Sequence, residues 1–172
     1  MAGTEYPSLR DWRQGSILPQ NVARDLDLIC AQDSETHRVI VVSHDCDIVN
    51  VHHEPDVEVI VGQLVSTVDG NLTGGKNSRK LHLDWSHRDG IRTVELYAGG
   101  KRRFPKSALA TVLPDARYTL DEKDLLTLRF WLGARFDRSA FPDEFNTRLR
   151  TTKVGEDIIK TLKPLGKSGD RG

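Results

Sequence analysis

The chain is poor in the residues that mark the simplest functional classes. It has two cysteines, one methionine and only 6% aromatic residues over 172 positions. Cys30 and Cys46 form neither a C-x-x-C pair nor a zinc-ligand spacing, which excludes a zinc ribbon or a thioredoxin-type motif. Each reads as a small buried hydrophobe, Cys30 most clearly because it closes the apolar stretch from Leu26 to Ala31. Charge of one sign is also lacking, since 25 Lys and Arg balance 25 Asp and Glu. No apolar run approaches the roughly 20 residues of a membrane helix. Met1 to Leu9 has no basic region followed by an apolar one, so no signal peptide is expected. The expected location is the cytoplasm, where a disulfide is not expected either. Internal repeats are absent.

What is present is a lean but sufficient core, 37% hydrophobic, on a 29% charged chain. The length suits one domain, expected over residues 1–150, with a short helix and a flexible tail over 151–172. The two parts of the chain differ in sign. Residues 1–100 hold 9 basic and 15 acidic residues, and residues 101–172 hold 16 and 10. A basic half offers anionic ligands a positive face, or it complements the acidic half across the fold.

Read in order, Asp11 to Pro19 is a turn into a short strand, with Gly15 permitting a tight backbone and Pro19 ending the run. Asn21 to Ala31 fits either a strand or a helical turn. Val39 to Val42 is a run of four β-branched residues, the pattern of a central strand covered on both faces. A polar connection over 43–56 follows. Val57 to Val65, Leu81 to Trp85 and Ile91 to Ala98 alternate as half-buried strands, separated by glycine-rich turns. Lys101 to Pro105 is a basic strand. The period then changes. Thr119-Leu120-Asp121-Glu122 reads as a capping box before Leu125, Leu128 and Leu132 at helical spacing. Further helices are expected from Phe141 and around Val154 to Leu162. The fold class is α+β: a small, half-open antiparallel β-barrel followed by two or three C-terminal helices. Trp12, Trp85 and Trp131 are expected in packing roles.

Three features carry chemistry. The first is His44-Asp45-Cys46-Asp47, delivered at the end of the buried strand. In an extended chain His44 and Cys46 would face one side and the two aspartates the other. A histidine beside a cysteine suits thiolate chemistry, but two carboxylates oppose it. The second is a set of six potential metal ligands within eleven residues: His44, Asp45, Asp47, His52, His53 and Glu54. Oxygen-rich sets of this kind suit divalent magnesium or manganese, and imidazole adds zinc or iron, yet no spacing matches a metal motif. No other cofactor is implied. The third is Lys101-Arg102-Arg103 with Lys106, next to Phe104 and near Tyr97, with Arg129 as an extension. Such a strand would hold phosphates while a ring stacks on a base, or it would simply resist edge-to-edge aggregation.

Gln14-Gly15-Ser16-Ile17, then Arg38-Val39-Ile40-Val41-Val42-Ser43, then Lys106-Ser107-Ala108-Leu109 and Tyr118 to Glu122 follow one another as in the PemK/MazF group of toxin ribonucleases, which the chain resembles over residues 12–133. The resemblance implies an SH3-like barrel, an RNA-binding groove, homodimerisation and a catalytic role for Arg38. Val39 stands where that group has proline. Ser43, Cys46 and Asp47 also form a Ser-x-x-Cys-Asp segment similar to one in uncharacterised bacterial proteins. The leading expectation is therefore a nucleic-acid-interacting protein of toxin-like or phage-defence type, favouring RNA. It would bind through Lys101, Arg102, Arg103 and Lys106, with Arg38, His44, Asp45, Cys46 and Asp47 as catalytic candidates. The alternatives are a Cys- or metal-dependent hydrolase centred on His44 to Asp47, and a non-catalytic module that binds a protein partner. No membrane partner is expected.

Overall fold

A computed structural model describes residues 7–134; residues 1–6 and 135–172, with the helices expected beyond Phe141, lie outside the described residues. The described chain is a mixed helix and sheet structure. Six antiparallel strands, β1 (His37–Val41), β2 (Asp56–Val65), β3 (Lys80–His87), β4 (Gly90–Tyr97), β5 (Lys101–Pro105) and β6 (Tyr118–Thr119), form a curled half-barrel. The order is β1-β2-β4-β3-β6, with β5 also on β2. Three short helices complete it: α1 (Gln20–Asp25), α2 (Asp45–Val49) and α3 (Glu122–Ala134).

The long strand β2 organises the sheet. β1 pairs along one edge, Val41 opposite Val59 and His37 opposite Gln63. The other edge is divided between β5, from Asp56 to Ile60, and β4, from Gln63 to Val65. Gly62 lies between those two pairings. An added Cβ there would stand 2.5 Å from Val94 Cγ1 and 2.7 Å from Leu96 Cδ2. Only glycine admits so close an approach of β4 side chains to the β2 backbone.

The run Val39 to Val41 is wholly buried, as its composition requires, but β1 ends the strand order instead of lying at its centre. Its outer edge is covered by the segment after Gly15: Leu18 N donates to Val39 O, Val41 N to Ser16 O, and Ile17 bridges Ile40. The sheet is covered on both sides. Val39, Val41, Val57, Val59 and Phe104 pack with Leu9, Trp12, Leu18, Ile48 and Leu109. Ile40, Val42, Ile60, Leu81, Trp85 and Val94 pack with Leu128 and Trp131 of α3. The three tryptophans are buried, and each indole N–H finds a carbonyl, on Val112, Gly15 and Asn77 respectively. Burying such rings without a partner for the N–H would be costly.

Two strands that are ends of the order meet at a seam. Arg38 Nε donates to Tyr118 Oη at 2.8 Å, and Asp115 N donates to Ile17 O at 2.8 Å. Several expectations are corrected here. The open choice for Asn21 to Ala31 falls to the helical turn, which is α1. Cys30 is exposed, its thiol 2.6 Å from Asp33 Oδ2, because it begins a turn after the apolar stretch has ended. Thr119 does not cap α3: it pairs with Ser86 in the sheet, and Asp121 Oδ1 accepts from Asp124 N at 2.7 Å instead. Among the described residues, no helix is long and apolar enough to cross a membrane.

Candidate functional site: a polar cleft at the end of β1

The quartet at 44–47 leaves β1 as a helix start, not as more strand. Val42 N and Ser43 N both reach Glu58 O, and Ser43 Oγ accepts from Glu58 N at 2.8 Å. These bonds fix the exit from the sheet. His44 is extended and its ring caps α2, with Nδ1 accepting from Cys46 N at 3.4 Å. Asp45 and Asp47 fall in the first turn, where carboxylates favour the N–H end of a helix. The alternation expected of a strand is thereby replaced by a turn that gathers the side chains.

Asp45 is held from two sides. Its Oδ1 accepts from Gln14 N at 2.7 Å and its Oδ2 from Arg129 Nη2 at 2.9 Å. Arg129 Nε donates to Gln14 Oε1 at 3.0 Å, and Gln14 Nε2 donates to Val42 O at 2.8 Å. The ring of bonds ties the turn before Ile17, the end of β1, α2 and α3 together. Asp45 is thus a framework residue, and Arg129 is committed to it.

Cys46 lies at the surface, its Sγ 3.0 Å from His44 Nδ1 and 3.5 Å from Asp47 Oδ1. Since Nδ1 accepts from the Cys46 N–H, the neutral ring carries its hydrogen on Nε2. Desolvation pushes the Cys46 thiol up, and the neighbouring Asp47 carboxylate adds to the shift by hydrogen bond and by charge. That is the opposite of an activated thiolate. The dyad contact exists, but it holds a thiol.

A cleft of about 320 Å³ opens beside the quartet. His44 and Asp47 line one part, Glu54, Asp56 and Glu58 another, and Lys101 and Arg103 a third, with Gln14, Leu132 and Gly133 at its borders. Glu58 occupies both cations: Lys101 Nζ lies 3.2 Å from its Oε2 and Arg103 Nε 3.5 Å from its Oε1. Arg103 also comes within 4.0 Å of Glu54. Four carboxylates therefore face two cations, and among the described residues Asp47 and Asp56 have no ion-pair partner. His52 and His53 are exposed in the turn after α2. Among the described residues, no three His, Cys, Asp or Glu side chains converge as a metal site.

The other expected site residues fall elsewhere. Arg38 lies near the start of β1, roughly 10 Å along the strand from Val41 at ~3.3 Å per residue. Its guanidinium is engaged by Tyr118 and by the carbonyls of Ser34, Glu35 and His37. It joins neither the quartet nor the cleft. Phe104 is buried in the core and cannot stack on a base. Lys106 is wholly buried, so it stands apart from the exposed Arg102 and Arg103. Gln14, Asp56 and Glu58 were not foreseen. Glu58 carried a legible signal, a carboxylate alternating with valines on a strand three turns from a basic one; Gln14 carried none.

Searches of family models, curated proteins and solved structures find no match to the chain. The class is that of a mixed helix and sheet half-barrel with a polar cleft at one end of its first strand.

Proposed function

We propose that the cleft beside His44 is the working site and that it receives a positively charged group from a basic segment of a protein partner. The observation that carries this reading is the balance of its lining. Carboxylates outnumber cations, and both cations are already spent on Glu58. Even with the buried Lys106 ammonium behind Asp47, Glu54 and Asp56 counted, four carboxylates stand against three cations, so a phosphate placed there would meet carboxylates at close range, whereas a guanidinium or ammonium would meet acceptors only partly compensated. The volume, about 320 Å³, accommodates one side chain or a small ligand. The half-barrel, which we take as SH3-like, is a scaffold that serves such binding modules without implying catalysis. The test is calorimetric titration with a Lys/Arg-rich peptide, its acidic counterpart and an RNA oligonucleotide. The basic peptide binds, and Asp56→Asn and Glu58→Gln weaken it. No binding of that peptide overturns the reading.

A second reading keeps nucleic-acid contact of toxin-like or phage-defence type. It rests on Arg102, which is exposed on β5 and, among the described residues, bonds only to the Lys101 carbonyl. RNA binding that is lost in an Arg102→Ala/Arg103→Ala double variant would favour it over the first.

A further inference from the structure

Lys106 is the one lysine in the described core, with no exposed surface. It follows β5 in the turn Lys106–Leu109. Its ammonium donates to the main-chain carbonyls of Asp47, Asn50 and Glu54, the Asn50 contact being 3.1 Å. An ammonium has three donors, and here each has an acceptor. Its own backbone N–H donates to Pro55 O at 2.9 Å. One residue thus fastens both ends of the segment 47–55.

Ile48, buried in the core, and Val51, packed against it, anchor the apolar side of that segment; its polar side has few other ties. Asn50 ends α2 and its carbonyl also takes Glu54 N, closing a polar turn with no sheet partner. Yet the segment supplies Asp47 and Glu54 to the cleft and leads directly into Asp56. A buried apolar side chain at 106 would take the donor from the Glu54 carbonyl and one of two donors from the carbonyls of Asp47 and Asn50, which keep Asn50 N and Glu54 N, at the end of a helix where intrahelical partners run out. Burial lowers the Lys106 pKa, and the charges of Glu54, Asp47 and Asp56 oppose that change. Three of the four carboxylates that line the cleft therefore also act on the buried cation.

We infer that Lys106 is a positioning residue: its ammonium fills a cage of main-chain carbonyls and so sets the acidic wall of the cleft, a task that requires an N–H-bearing cation and not merely a long side chain. The inference does not depend on the identity of the cleft's ligand. It makes a specific demand. With the side chain truncated, a small alkylammonium ion should enter the cage and restore the wall.

The experiment is hydrogen exchange read by mass spectrometry on the full chain. In Lys106→Ala, amides of 47–56 exchange roughly tenfold faster or more. Ethylammonium or propylammonium restores most of the protection, while equal concentrations of tetramethylammonium, which has no N–H, do not. Lys106→Met exchanges as fast as Lys106→Ala. Wild-type protection in Lys106→Met, or equal rescue by tetramethylammonium, overturns the inference. If Lys106→Ala does not fold alone, the same salts are compared for recovery of its near-ultraviolet circular dichroism, and no recovery with any alkylammonium overturns it.

Discussion

Arg129 and Asp45, 84 residues apart, meet at 2.9 Å with the two side chains about equally exposed, 36% and 35%. The contact matters because Arg129 also donates to Gln14, which in turn reaches the Val42 carbonyl, two residues before the quartet. Arg129→Ala removes two charge-assisted bonds at a half-exposed site, so the expected loss is modest, about 1–2 kcal/mol by chemical denaturation. Arg129→Lys should recover less than half of it, since a lysine lacks the fork that spans Asp45 and Gln14. Equal stability of Arg129→Ala and wild type would show that the ring of bonds adds nothing.

Gly62→Ala should be costly despite adding a single methyl. The new Cβ would lie 2.5 Å from Val94 Cγ1 and 2.7 Å from Leu96 Cδ2, both wholly buried side chains with little room to withdraw. Overpacking of this kind costs about 1–3 kcal/mol. Thermal unfolding followed by circular dichroism reads it directly.

Asp115 gives a pH dependence with a definite sign. Burial pushes its carboxyl up, but Arg117 donates from its backbone N–H and from Nε and Nη2 of its guanidinium, and the net result lies below the ordinary value. A carboxylate with a depressed pKa in the folded state stabilises the fold above its unfolded-state pKa. That stabilisation fades as pH falls through the lower folded value. Asp115→Asn should therefore be less stable than wild type at neutral pH, and the two should converge below the usual carboxylate range. A gap that stays constant from pH 7 to pH 2 contradicts the assignment.

Cys46 should react slowly for an exposed thiol. Asp47 contributes to raising its pKa, so Asp47→Asn should speed alkylation by iodoacetamide near pH 8. The measurement belongs in a Cys30→Ser background, because Cys30 is exposed too. An unchanged or slower rate would show that Asp47 does not restrain the thiol.

Gly133 offers a way to close the cleft without touching its charges. It lines the cleft near the end of α3, and an added Cβ would meet nothing within 4 Å. Gly133→Leu should leave stability unchanged or raise it by up to about 0.8 kcal/mol through helix propensity. Basic-peptide binding should be lost. Intact peptide affinity would separate that ligand from this cleft.

The strands were legible because half-buried strands must alternate, and because the Val39 to Val42 run has no reading other than double coverage. Of the helices near the site, α3 was legible from Leu125, Leu128 and Leu132, whereas α2 was not. α2 begins Asp-Cys-Asp after a histidine cap, outside the usual Ser, Thr, Asp and Asn. Thr119 shows the tertiary override of a good local signal, since pairing with Ser86 claims it for the sheet. Asp47 and the basic strand were read as separate features; only the β2–β5 register, with Glu58 opposite Arg103, brings them to one cleft. Lys106 was misread for a physical reason. Its partners are carbonyls, which every residue has, so the neighbouring sequence names none of them.

Because β2 shares one edge between β5 and β4, no fragment ending before Pro105 can complete the sheet. A chain emerging from the ribosome must hold the exposed valines of β1 and β2 in waiting until some forty further residues have been made. Over that interval it is at its most vulnerable to association with other nascent chains and has the most to gain from a holding chaperone.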